Sequence, residues 1–164
     1  MSEHKRGIEL EKKFLIAYPD FEALAKYNPI KYEIEQIYLL SDVGSRRIRR
    51  RTHFGIDTYF ETLKIRINDS KCFELEDVIT KEEYDSLKEN ADPERHPIYK
   101  NRYVFSYDSK VLELDVFPFW DDKAFLEIEL DSEEDAYAVP PEITVIEDVS
   151  DDPSYKNKNL AKNL

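Results

Sequence analysis

The 164-residue chain carries a formal net charge of −12, with 37% of its residues charged, 41% hydrophobic and 13% aromatic. That length predicts one domain, residues 1–164, and the apolar and aromatic content excludes a disordered chain. The acidic balance argues against diffuse nucleic-acid binding. The sequence shows no run of about eighteen apolar residues and no signal-peptide pattern, so no membrane partner and a cytoplasmic location are expected. Cys72 is the single cysteine, which excludes an internal disulfide and fits a reducing compartment; it is read as an ordinary strand residue. His4, His53 and His96 lack zinc-site spacing.

Met1 to Gly7 is polar and reads as a loose lead-in. Ile8 to Ile16 reads as a strand, with Glu9, Glu11 and Lys13 on one face and Ile8, Leu10 and Phe14 on the other. A row of two carboxylates and an ammonium suits a metal ion beside an anion; a solvated strand face shows the same pattern. Asp20 is placed to cap a short helix through Tyr27, which Asn28-Pro29 breaks. Ile34 to Leu40 alternates Ile37 and Leu39 against Gln36 and Tyr38. Ser45 to His53 then holds five arginines in six residues, with Arg47, Arg49 and Arg51 sharing a face. In a strand of an acidic protein, that row reads as an anion site, since guanidinium groups grip phosphate oxygens in pairs. Arg46 and Arg50 are read as solvated.

Thr58 to Ile67 sets Phe60, Thr62, Lys64 and Arg66 opposite Tyr59, Leu63, Ile65 and Ile67, and Asn68-Asp69-Ser70 turns the chain. Cys72 to Ile79 sets Glu74 and Glu76 opposite Phe73 and Leu75. Thr80 and Glu83 form a capping-box pattern for a helix to Asn90. Ile98 to Tyr107 carries Lys100 and Arg102, Val111 to Phe117 carries Glu113 and Asp115, and Ala124 to Leu130 carries Glu127 and Glu129, each opposite apolar or aromatic residues. Ser132 to Ala138 is expected to be a short helix, Ile143 to Val149 an acidic linker or edge strand, and Asp152-Pro153 the start of a terminal helix.

Recurrence decides for a binding face. About eight short-turned strands favour antiparallel pairing, and nearly every one has an apolar and a charged face. An open sheet would show the charged face to water; a closed barrel would make it a lumen and remove the edges. The expectation is mainly β (α+β): an eight-stranded antiparallel closed barrel forming a tunnel with a charged lumen, helices packed outside. Arg47, Arg49, Lys64, Arg66, Lys100 and Arg102 would hold one highly anionic ligand. Glu9, Glu11, Glu74, Glu76, Glu113, Asp115, Glu127 and Glu129 are too many carboxylates for salt bridging alone, so cations must neutralise them. Hard oxygen donors imply Mg²⁺ or Mn²⁺, paired with substrate phosphates.

The ordered series resembles the CYTH domain superfamily, the triphosphate tunnel metalloenzymes. The signature E-x-E-x-K stands as Glu9, Glu11 and Lys13. The series continues through Arg47-Ile48-Arg49, Thr62-Leu63-Lys64, Glu74-Leu75-Glu76, Lys100-Asn101-Arg102-Tyr103, Glu113-Leu114-Asp115 and Leu126-Glu127-Ile128-Glu129, and ends at Tyr155-Lys156-Asn157-Lys158. The resemblance implies a metal-dependent phosphohydrolase. Glu9, Glu11, Asp115, Glu127 and Glu129 would surround the divalent metals, and Lys13, Arg47, Arg49, Lys64, Arg66, Lys100 and Arg102 would hold the triphosphate. Glu9, Glu11, Lys13 and Glu129 would be catalytic, with Tyr38 orienting water or phosphate or merely packing. Lys156 would reach the tunnel mouth or stay solvated. The expected reaction is hydrolysis of inorganic triphosphate to pyrophosphate and phosphate. Adenylyl cyclisation, thiamine- or nucleoside-triphosphate hydrolysis and non-catalytic polyphosphate or nucleotide binding are the alternatives, and a homodimer is left open.

Overall fold

In the computed structural model, which describes residues 4–68 and 71–164 and the side chains from Gly7 on, the alternating segments close on themselves. β1 (His4–Ala17), β2 (Ile30–Leu39), β3 (Ser45–His53), β4 (Ile56–Arg66), β5 (Lys71–Ile79), β6 (Ile98–Tyr107), β7 (Lys110–Val116) and β8 (Lys123–Glu129) pair antiparallel in the order β5-β4-β3-β2-β6-β7-β8-β1. β1 serves two neighbours. His4 to Leu10 run beside β5, and Glu11 to Ala17 run beside β8. That double pairing closes an eight-stranded barrel. β9 (Val145–Asp148) lies outside the circuit, against β1 at Phe14 to Ile16.

Strand alternation then sorts the side chains. Outward-facing Phe14, Ile16, Leu112, Leu114, Leu126 and Ile128 form a core with Leu24. Leu24 belongs to α1 (Phe21–Leu24), whose start is capped by Asp20 accepting from the Ala23 amide. α2 (Lys81–Leu87) has both halves of the Thr80/Glu83 capping box and lays Tyr84 against Ile37, Leu39 and Ile48. The Tyr84 hydroxyl donates to Glu35 at 2.7 Å, so its polar end is satisfied. Burying one such large side chain contributes roughly 1.5–3 kcal/mol. A third cluster fills one end of the barrel from within: Leu15, Tyr38, Ile98, Phe117 and Phe125, closed by Val149 and Ala161 of the C-terminal segment. That segment is tied down by His96 N donating to Ala161 O, Arg95 Nε to Lys158 O and Lys13 Nζ to Tyr155 O.

Several boundaries differ from the expectation. β2 begins at Ile30, not Ile34, because pairing with β6 extends through Ile30↔Val104; its outer end is exposed, so no apolar alternation marked it. β1 reaches back to His4 for the same reason, and Met1 to Glu3 of the expected lead-in lie outside the described residues, as do Asp69 and Ser70 of the expected turn. Ser132 to Ala138 is a turn, not a helix. There the Asp135 carboxylate accepts from the Asp131 amide and engages Lys110, fixing a compact loop before Pro140-Pro141. The terminal helix is broken into a 3₁₀ turn at Pro153–Tyr155 and α3 (Asn157–Leu160), with Lys156 extended between them.

Gly44, in the turn from β2 to β3, sits at φ +61°, and an added Cβ would lie 2.3 Å from the Lys64 carbonyl oxygen. Gly44→Ala should therefore destabilise the barrel by more than about 1 kcal/mol. The check is urea unfolding; an unchanged midpoint would show that the β2–β3 turn is not held against β4.

Candidate active site

The inward row of each strand meets in a cavity of ≈ 320 Å³, a size that suits a small ligand. Its wall is divided by strand. β1, β5, β7 and β8 present carboxylates: Glu9 and Glu11, Glu74 and Glu76, Glu113, and Glu127 and Glu129. β3, β4 and β6 present Arg47 and Arg49, Lys64 and Arg66, and Arg102. Lys13, Tyr38 and Lys156 also line it. A roomier groove of ≈ 590 Å³ is lined by Glu33, Tyr99, Lys100, Phe117 and Trp120. The charged chemistry is in the smaller one.

Arg102 is the hub of the acidic side. Its Nε and Nη2 donate to the two Asp115 oxygens at 2.8 and 2.9 Å, and its Nη1 to Glu113 at 3.0 Å. Burial works against the Arg102 charge, but Asp115 and Glu113 outweigh it and hold the group well above the usual arginine range. Lys100 Nζ donates to Asp115 at 3.0 Å with its side chain fully buried. Burial pulls Lys100 down to about 7; Asp115 works against that shift, and the Arg102 charge adds to it. Burial would raise Asp115, yet Arg102 and Lys100 hold it well below the carboxylate range. Asp115 and Lys100 therefore stand behind the cavity wall, engaged with each other and with Arg102, and neither lines the cavity.

The carboxylates that converge are Glu11, Glu113 and Glu127, each offering an oxygen within 4.8 Å of the others. Register explains the trio. Glu113 is directly opposite Glu127, Glu127 opposite Lys13, and Glu11 opposite Glu129, whereas Asp115 faces Phe125. Burial, then Glu127 and Glu9, push Glu11 well above the usual carboxylate range; burial also raises Glu113. Such a cluster fits a hard divalent cation held by oxygen donors. Sequence reading placed Glu113 on the inner face without a role; only the register singles it out.

The basic side is organised differently. Lys64 sits 2.9 Å from Glu9 and 3.4 Å from Glu74. Lys13 stands over the Phe125 ring at 4.1 Å and is 3.9 Å from Glu127. Arg49 reaches Glu76 at 3.1 Å, and burial followed by Arg47 and Arg102 pushes it down to about 10. The buried Nε atoms of Arg47 and Arg49 have no hydrogen-bond partner among the described residues. Tyr38 accepts a 2.6 Å hydrogen bond from Gln36 Nε2, which leaves its own proton to donate. Arg51 shares the inner face of β3 but packs over Tyr32 and Phe60, 4.9 Å from each ring. Arg46 and Arg50, expected to be solvated, face outward and pair with Glu61 and Glu35.

No family model matches the chain. An inorganic triphosphatase from Nitrosomonas europaea is 33% identical over 159 residues, covering 95% of this chain and 98% of that protein. The chain belongs to the family of that triphosphatase. A crystal structure of an inorganic triphosphatase superposes with a TM-score of 0.58 at 30% identity, covering 95% of each chain. A Pyrococcus horikoshii protein of 24% identity shares the fold, at TM-score 0.57 over 77% of this chain and 80% of its own.

Raised carboxylate pKa values predict how metal-free stability depends on pH. Between the ordinary glutamate value and the raised native one, the folded state holds more protons than the unfolded state. Stability therefore falls as pH rises through that window. Asp115 and Glu127 are shifted downward, so their contributions change only at lower pH. In chelator, Tm should fall as pH rises above the ordinary glutamate range, and Glu11→Gln should flatten that slope. A Tm that rises across the window would contradict the repulsive cluster.

Proposed function

We propose that the chain hydrolyses inorganic triphosphate to pyrophosphate and phosphate with Mg²⁺ or Mn²⁺, as one CYTH-type domain acting in the cytoplasm. One observation carries the reading. The partnerless guanidinium Nε atoms of Arg47 and Arg49 share one cavity with the convergent carboxylates of Glu11, Glu113 and Glu127. A buried donor without a partner is costly, and so is a cluster of buried carboxylates. A metal–polyphosphate ligand relieves both. The 33% identical relative is itself named for inorganic triphosphate hydrolysis, which supports the same substrate.

Glu11, Glu113 and Glu127 would hold the divalent cation, with Glu9 and Glu129 beside them. A cation bound there supplies charge neutralisation for the phosphates and acidifies water. The chain's own residues do the rest. Arg47, Arg49, Lys64 and Lys13 bind the phosphate oxygens and stabilise charge on the transferred phosphoryl and leaving groups. Arg66 and Lys156 bind nearer the opening. Arg102 is fixed by Asp115, so its guanidinium is preorganised beside Glu113 and Glu127. In this reading Asp115 and Lys100 position Arg102 rather than touch the ligands. Glu129, exposed at the end of β8 opposite Glu11, would accept the proton of the attacking water. Tyr38 donates its hydroxyl proton to a phosphate oxygen.

Steady-state phosphate release should require Mg²⁺ or Mn²⁺. Arg47→Ala should lower kcat/KM for triphosphate by about tenfold to a hundredfold, the loss of one charge-assisted contact of roughly 1.5–3 kcal/mol. Equal turnover in excess chelator would sink the metal reading. Cyclic AMP as the product from ATP, without triphosphate hydrolysis, would replace it with a cyclase.

A further inference from the structure

The cavity opens where the β2–β3 and β4–β5 turns meet the C-terminal segment. Ser45 pairs with Lys64 across β3 and β4, which brings those two turns together, and Gly44, Arg66, Lys71, Asn157 and Lys158 line the opening. Its ammonium groups differ from those inside. Lys13, Lys64 and Lys100 each stand within ion-pair distance of a carboxylate; among the described residues, Lys71 and Lys158 do not. Burial lowers the Lys158 pKa, and Arg95, Arg66 and Lys162 lower it further. The rings that line the cavity, Tyr38 and Tyr155, pack against the buried apolar cluster, Tyr155 meeting Phe125 edge-to-face.

We propose that Lys71 and Lys158 form an outer phosphate subsite at this rim. It takes the fourth and later phosphates of linear inorganic polyphosphates and disfavours an organic substituent. The inference rests on the hydrolase reading, since the first three phosphates occupy the lumen. Cations without counter-charges match further phosphates. A nucleoside or thiazole leaving the lumen would meet lysines where it needs an aromatic platform.

The test compares wild type, Lys71→Gln, Lys158→Gln and the double variant, all full length. Inorganic triphosphate, inorganic tetraphosphate and ATP are assayed at fixed Mg²⁺ and ionic strength. Binding of triphosphate and tetraphosphate is measured by calorimetry in chelator. In the double variant, kcat/KM for tetraphosphate should fall about tenfold relative to triphosphate, through KM, with kcat for triphosphate and turnover of ATP unchanged. Lys71→Arg/Lys158→Arg should restore the ratio. An unchanged ratio, with triphosphate still hydrolysed, overturns the subsite and leaves the hydrolase reading intact. If wild type hydrolyses nothing, the hydrolase reading fails and calorimetry decides the subsite alone. Tighter binding of tetraphosphate than triphosphate in wild type, lost in the double variant, supports it; equal binding of the two overturns it.

Discussion

A carboxylate buried beside another carboxylate must find a cation or take up a proton. That constraint organises this barrel. Asp115 meets it with Arg102 and Lys100 and stays ionised. Glu9 and Glu74 meet it with Lys64. Glu11 meets it only in part: Lys64 lowers its pKa, but burial, Glu127 and Glu9 leave it raised. Glu113 and Glu127 have Arg102 and Lys13 nearby, so the shortfall of positive charge falls on Glu11, and an external cation among the three would relieve it. Replacing such a network with apolar residues of similar volume would often favour stability, so its cost belongs to function rather than to folding.

The fold was legible because strand alternation is strict. Every inward residue of the charged rows follows from a period of two once the strands are recognised. The pairing of Glu9, Glu11 and Lys13 on one face and the Arg47/Arg49 row both came from that rule. What alternation cannot supply is the axial offset between neighbouring strands. Glu113 and Asp115 have the same parity, yet one faces Glu127 and the other faces Phe125. That two-residue step puts Glu113 beside Glu127 on the cavity wall and Asp115 behind it. Elements held by single long-range contacts were also illegible. The loop around Asp135 is fixed by Lys110, and the C-terminal segment by Arg95, His96 and Lys13; no local propensity reports those partners.

The distribution of charge over the molecule matters as much as its sum. A chain with net charge −12 would repel a polyanion on average. Gathering Arg66, Lys71, Lys156 and Lys158 along the cavity sets positive charge against that average, and a cleft with low-dielectric walls focuses such a field. The apolar cluster of Leu15, Ile98, Phe117 and Phe125 provides those walls beside the carboxylates, and it also anchors the segment that carries Lys156 and Lys158. Core packing and substrate approach therefore share residues.

The proposed assignment gives the divalent cation to Glu11, Glu113 and Glu127 and leaves Asp115 with Arg102. Anomalous diffraction from a crystal soaked in Mn²⁺ tests it directly. The claim predicts a manganese peak within about 2.0–2.6 Å of oxygens from all three glutamates, with Asp115 still bound to Arg102 and Lys100. A peak coordinated by Asp115, with the Glu11, Glu113 and Glu127 trio empty, would contradict it.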